Sequence, residues 1–354
     1  MKRALCILAF IILLTTCVTP IGYALEEHAI KPVTISFDQL KKLVTAGSPD
    51  YQKDLQEIRK AEIYAFEMWE DFYELDQYWP NNALEVIAQM YKMEDADEFL
   101  VNLHDELEGK LKVHVYAVQR LYINHYTLLP AVEAAQRELE VYENELATLK
   151  QKLLRGLTTK NTVENAEQNV EDRKKAVTAA QKRESNSLDV LSKALGLDSP
   201  IVLDGLPDID AKRITDRDMK ADLAAYIKAA SSAAKRIMKS AKDIYDKNKT
   251  STNWYVYTVA KKDYETAGME AEKSFPKVYQ RLLDAYEEIT GSTEVVDAQR
   301  EYDKDKMMFE RGMIARNKLQ SSEMALQNAK DRFRQQEVLF WLTLLEYEFG
   351  LLEL

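Results

Sequence analysis

The chain has 354 residues, with 48 lysines and arginines against 59 aspartates and glutamates, a formal charge of −11 at pH 7. Such a surface is a poor match for nucleic acid. Ten glycines and eight prolines, with 30% charged and 46% apolar residues, make up the balance of long amphipathic helices rather than of sheets.

From the start, Lys2 and Arg3 precede an apolar run from Ala4 to Leu14 and a small-residue exit at Gly22-Tyr23-Ala24, the layout of a secretory signal peptide cleaved after Ala24. Leu14-Thr15-Thr16-Cys17 offers a rival, a lipoprotein signal that would anchor the chain through Cys17. Cys6 and Cys17 are the only cysteines, so cleavage after Ala24 leaves no thiol for a disulfide or a cysteine metal site. It also leaves 46 basic against 59 acidic residues, a formal −13. No later stretch approaches the roughly 18 continuous apolar residues of a membrane helix.

Val33-Thr34-Ile35 reads as a short strand. Tyr64, Phe66, Trp69, Phe72, Tyr73, Tyr78 and Trp79 recur at helical spacing, which predicts a buried helix face rather than a sugar or lipid site, ending at Trp79-Pro80. Residues 83–90 and 96–101 are charged and helix-like. Leu139, Leu146 and Leu153 lead to Gly156, after which Val163, Val170, Val177, Glu184 and Leu191 recur every seventh residue. Ala166, Arg173, Ala180, Ser187 and Ala194 are interleaved three residues later. Gly196 and Pro200 close this helix, and residues 198–217, with Ile201-Val202-Leu203 as a further short strand, read as a linker. In the second half, Trp254-Tyr255-Val256-Tyr257-Thr258-Val259 is strand-like.

An offset of 156 residues maps the first half onto the second. Arg155-Gly156-Leu157 becomes Arg311-Gly312-Met313, and Leu139, Leu146 and Leu153 become Val295, Tyr302 and Phe309. The large row becomes Leu319, Leu326, Phe333, Phe340 and Tyr347, interleaved by Ser322, Ala329, Gln336, Thr343 and Gly350. The prediction is an all-α protein of two long antiparallel coiled-coil hairpins with little or no β structure: residues 1–24 a signal peptide, 25–197 a first repeat, 198–217 the linker, 218–354 a second repeat. Gly156 and Gly312 suit left-handed helix ends, and Asn161 and Asn317 suit caps for the returning helices.

The duplicated helix, Gly-(Leu/Met) turn and small-residue heptad helix, with the opening segment 33–40 and Leu195-Gly196 before a proline-rich linker, resembles the TolC-like outer membrane efflux proteins. The resemblance implies a tandem repeat, a tunnel of three protomers, two barrel strands per repeat in the outer membrane, and hairpin tips that meet a periplasmic adaptor. Those tips would be Arg155, Gly156 and Leu157 with Arg311, Gly312 and Met313. Thr162 and Lys318 stand where the family often has an acidic residue. The first repeat offers no transmembrane strand, and residues 254–259 are too few for one, so the barrel is expected to be missing.

His28, His104, His114 and His125 lack metal-ligand spacing and read as surface or packing residues. With no phosphate loop or nucleophile elbow, no cofactor, metal or enzymatic activity is expected. The expected function is an exported conduit component working as a homo-oligomer with an adaptor and an inner-membrane pump, its contact with membrane indirect or through a lipid on Cys17. The alternative is a non-conducting structural spacer of the cell envelope.

Overall fold

The structure, a computed structural model, describes residues 32–76 and 105–352. The expectations for the signal segment, the cysteines, Tyr78, the Trp79-Pro80 helix end and residues 83–101 lie outside the described residues, as do the side chains of Phe66, Trp69, Phe72 and Tyr73.

The elements run β1 (Val33–Ile35), a 3-10 turn (Phe37–Gln39), α1 (Leu40–Gly47), α2 (Pro49–Asp76), α3 (105–125), α4 (Leu129–Leu154), α5 (Lys160–Ala194), β2 (Ile201–Leu203), α6 (Lys212–Thr215), α7 (Met219–Lys247), α8 (Ser251–Thr290), α9 (Glu294–Glu310) and α10 (Arg316–Gly350). The expected all-α class is what the structure shows. The sole sheet among the described residues is the parallel pair β1–β2, with Val33 opposite Ile201 and Ile35 opposite Leu203.

Antiparallel pairing organises the rest: α4 lies on α5, α9 and the end of α8 on α10, and α7 on α8. The hairpin boundaries coincide at one displacement of 156, since Leu154, Lys160 and Ala194 match Glu310, Arg316 and Gly350. Every residue of the two rows that begin at Val163 and Leu319 is buried or half-buried in both copies. Two polar residues of the small row bond back to their own helix: Ser322 Oγ donates to the Leu319 carbonyl at 2.9 Å and Thr343 Oγ1 to that of Leu339 at 2.8 Å. A polar residue can thus sit on the seam without an unsatisfied group.

The core lies where the strands and the linker cross the helices. One cluster gathers Ile35, Leu40, Val44, Tyr122, Leu191 and Leu195. The other gathers Phe275, Leu282, Phe340, Trp341, Leu344 and Tyr347, and Phe37 and Tyr126 touch both. Tyr122 ties the linker down, its hydroxyl donating to the Gly205 carbonyl at 2.7 Å while Tyr126 accepts from the Gly205 N–H at 2.8 Å. Across the second cluster, Tyr347 donates to Asp222, which Arg217 also engages, and Arg217 reaches Glu348 at 2.7 Å.

Three sequence expectations are corrected. Residues 254–259 form part of α8, not a strand: Thr250 caps the helix by accepting from Asn253 N–H at 3.1 Å, Tyr257 stacks on Tyr245, and Ala260 is buried. Capping and pairing with α7 outweigh the β-preference of that run. Asn161 and Asn317 lie inside the first helical turns; the caps are Thr159, which accepts from Thr162 N–H, and Ala315, which makes no side-chain cap. Tyr64 is 61% exposed, because helical spacing places residues on one face without supplying a partner for it.

Among the described glycines, Gly196 makes the closest backbone approach. Its φ of +68° closes α5, and a Cβ there would sit 2.0 Å from the Gly47 carbonyl oxygen. Gly196→Ala should therefore cost about 2–4 kcal/mol by urea unfolding, whereas Gly156→Ala, at φ +71° with nothing within 4 Å, should cost only about 1 kcal/mol. Equal losses at the two sites would refute the close-approach account.

His125 is buried against Tyr126, and burial holds its pKa below the ordinary 6.5 despite the opposing pull of Glu184. The unfolded chain then binds more protons there, so this contribution to stability is complete above about pH 6.5 and is lost as pH falls. The Tm of the wild type relative to His125→Phe should drop between about pH 7 and pH 5; a pH-independent difference would exclude this role.

Candidate functional site at the hairpin tips

Both tips are built by the same backbone device. At the end of α4, Gly156 N–H donates to the Leu153 carbonyl at 2.9 Å and Leu157 N–H to that of Lys152 at 2.8 Å. At the end of α9, Gly312 N–H donates to Phe309 at 2.8 Å and Met313 N–H to Met308 at 2.9 Å. These are Schellman ends, which require the left-handed φ of +71° and +69° found at the two glycines. In such a motif the residue after the glycine commonly packs back on the last helical turn. Here Leu157 and Met313 instead remain 70% and 64% exposed, beside Leu154 at 89%.

Arg155 and Arg311 cap the two helix C-termini, where a cation suits the macrodipole. Both are exposed, and neither forms an ion pair among the described residues.

Side-chain bridges set the two tips at one level. Arg137 on α4 meets Asp331 on α10 at 2.5 Å, and each lies nineteen residues from its own turn glycine, Gly156 or Gly312. Arg334 holds both carboxylate oxygens of Glu133 at 2.7 Å, one turn further along. The six residues Arg155, Gly156, Leu157, Arg311, Gly312 and Met313 therefore lie at one end of the molecule. The structure adds Leu154, and the half-exposed Phe309, to that end. A large apolar residue just inside a helix end reads in sequence as packing, so nothing in the chain's pattern marks them.

One difference between the two seams places a charge in the second hairpin where the first has none. Asp305, 2% exposed, ion-pairs with Lys318 at 3.3 Å across α9 and α10, where the first hairpin has Leu149 and Thr162. The offset of 156 exposes this contrast in the sequence, but only the structure shows the two side chains meeting. Among the described residues no group of three His, Cys, Asp or Glu could hold a metal ion, and no helix is long and apolar enough to cross a membrane.

Two long glycine-turned hairpins standing level around a linker-and-strand waist define the protomer fold of the TolC-like helical channels. No family model matches the sequence, and no curated protein matches it. Solved structures do match: CusC, at 11% identity over 90% of this chain and 92% of that one, TM-score 0.51; the outer membrane channel CmeC of Campylobacter jejuni, at 10% over 89% and 85%, TM-score 0.51; and the outer membrane protein VceC of Vibrio cholerae, at 12% over 89% and 95%, TM-score 0.50. At such identities the likeness is one of fold; CusC and CmeC are described as channels and VceC as an outer membrane protein.

The pairing of buried Asp305 with the exposed Lys318 yields a direct test. Lys318→Thr alone strands the Asp305 carboxylate and should cost about 1–3 kcal/mol in thermal or urea unfolding. Combining it with Asp305→Leu, which recreates the first hairpin's pair, should recover that loss or exceed it; a double variant no better than the single one would show that the pair does not act as a unit.

Proposed function

We propose that this protein is a transport-associated component of the cell envelope outside the cytoplasmic membrane, a TolC-like helical conduit or sleeve. Two repeats, 25–197 and 218–354, flank the linker 198–217, and copies associate into a homo-oligomer, a trimer by resemblance. The tips then meet a coiled-coil adaptor and, through it, an inner-membrane pump. The observation that supports this most is the level pair of tips, each ending in an exposed cation and exposed large apolar side chains. A partner that fully buries Leu154, Leu157 and Met313 gains about 1.5–3 kcal/mol for each. Exposed Val141, Val190, Val296, Met324 and Leu339 on the hairpin flanks favour side-by-side association.

One observation favours a second reading, a non-conducting spacer. Residues 248–250 alone join α7 to α8, so the chain turns directly where the resemblance would put a pair of membrane strands. A sleeve could still conduct if another protein supplied the pore.

Cysteines introduced as Leu157→Cys and Met313→Cys should cross-link in cells to an extracytoplasmic coiled-coil hairpin protein, and flank cysteines should give a ladder ending at a closed ring of identical chains. A protein that sediments as a monomer and captures nothing at either tip would sink the conduit and leave the spacer.

A further inference from the structure

The end opposite the tips has a chemistry of its own. α10 accompanies α8 from Gln336 beside Glu288 to Tyr347 beside Phe275, and it finishes where Gly350 lies against Tyr226. From Tyr226 to Lys247 and back from Ser251 to Phe275, α7 and α8 pack on each other as a two-helix arm, about 30 Å long at 1.5 Å per residue.

Residues 235–262, the outer part of that arm, carry eight basic and two acidic residues, a formal +6 in a chain of −11. Lys239, Lys242, Lys247, Lys249, Lys261 and Lys262 are all exposed there. On the same turns Ile244, Trp254, Tyr255 and Val256 are at least half exposed, Tyr255 reaching 66%. At 100° per residue, the three consecutive side chains Trp254, Tyr255 and Val256 spread over about 200° of α8, while Tyr257 and Ala260 turn inward onto α7.

We propose that this arm is a membrane-docking element that takes an anionic phospholipid surface. The alternative occupant, a second copy of the chain, fits poorly on two counts. Every copy presents the same basic cluster, so mutual contact here would bring like charges together. A packed neighbouring helix also covers a stripe of roughly 100°, less than the spread of the three apolar residues, whereas acyl chains and headgroups adapt to any outline. Tryptophan and tyrosine settle at the boundary between headgroups and acyl chains, and lysine stems extend past them to the phosphates. With the arm seated obliquely, the aromatic residues enter that boundary while the lysines neutralise lipid charge. The assignment is independent of what the Gly156 and Gly312 tips contact.

The test is flotation of the purified protein with vesicles of phosphatidylcholine alone, or with about one third phosphatidylglycerol. Binding is expected to the anionic vesicles only and to be lost at high salt. Lys239→Glu, Lys249→Glu and Lys262→Glu combined should weaken it at least about tenfold, as should Trp254→Ser with Tyr255→Ser. These are exposed positions, so unchanged far-ultraviolet dichroism checks the fold, and Leu157→Ser with Met313→Ser should bind lipid as the wild type does. Equal binding to both vesicle types, unaltered binding by the charge-reversed protein, or vesicle-free self-association abolished by the same lysine changes would each overturn the proposal.

Discussion

A helix of 35 residues, about fifty ångströms at 1.5 Å per residue, stays in register with what it packs on only if each of its turns finds a fitting turn opposite. In this protein that condition is met by a seam of two rows, one large and one small, in each hairpin. The small row lets the backbones approach; the large row fills the space between them. α5, with 35 residues, and its counterpart α10 both keep the pattern to the end. The rest of the molecule follows from it: the hairpins are thin, expose much of their perimeter, and are joined at a waist.

The waist is where conformational freedom is used most sparingly. Gly47 and Gly196 bring two backbones into direct contact, β1 and β2 zip the start of the described chain to the linker, and Tyr122 and Tyr126 grip Gly205 from two sides. Burial raises the pKa of both tyrosines, so they stay neutral donors and acceptors at any physiological pH. By contrast the hairpins meet side by side through Glu133, Arg137, Asp331 and Arg334, partly exposed ion pairs that fix the level of the tips more than they add stability.

The two ends of the molecule are chemically unlike. The tips pair one arginine each with exposed leucine or methionine, while the α7–α8 arm gathers lysines around tryptophan and tyrosine. An acidic chain that confines a +6 segment to one extremity has a strong charge asymmetry along its length, and such a field orients the molecule toward an anionic surface before any contact forms.

Periodicity determined much of this by itself. Heptads in register at an offset of 156 fix helix type, the facing rows and the positions of both turns, because each depends only on residues near one another along a helix. Gly156 and Gly312 were legible for the same reason: a left-handed helix end is a local demand. Choices between competing local preferences were decided by tertiary structure. Residues 254–259 favour a strand until α7 gives them a helical partner, Asn161 yields the cap to Thr159, and Tyr64 stays exposed although its spacing is that of an apolar helix face. Likewise Asp305 meets Lys318, and Arg137 meets Asp331, only after the helices are packed. A sequence pattern specifies which side of a helix is apolar; what lies against that side is set by the chain's path in space.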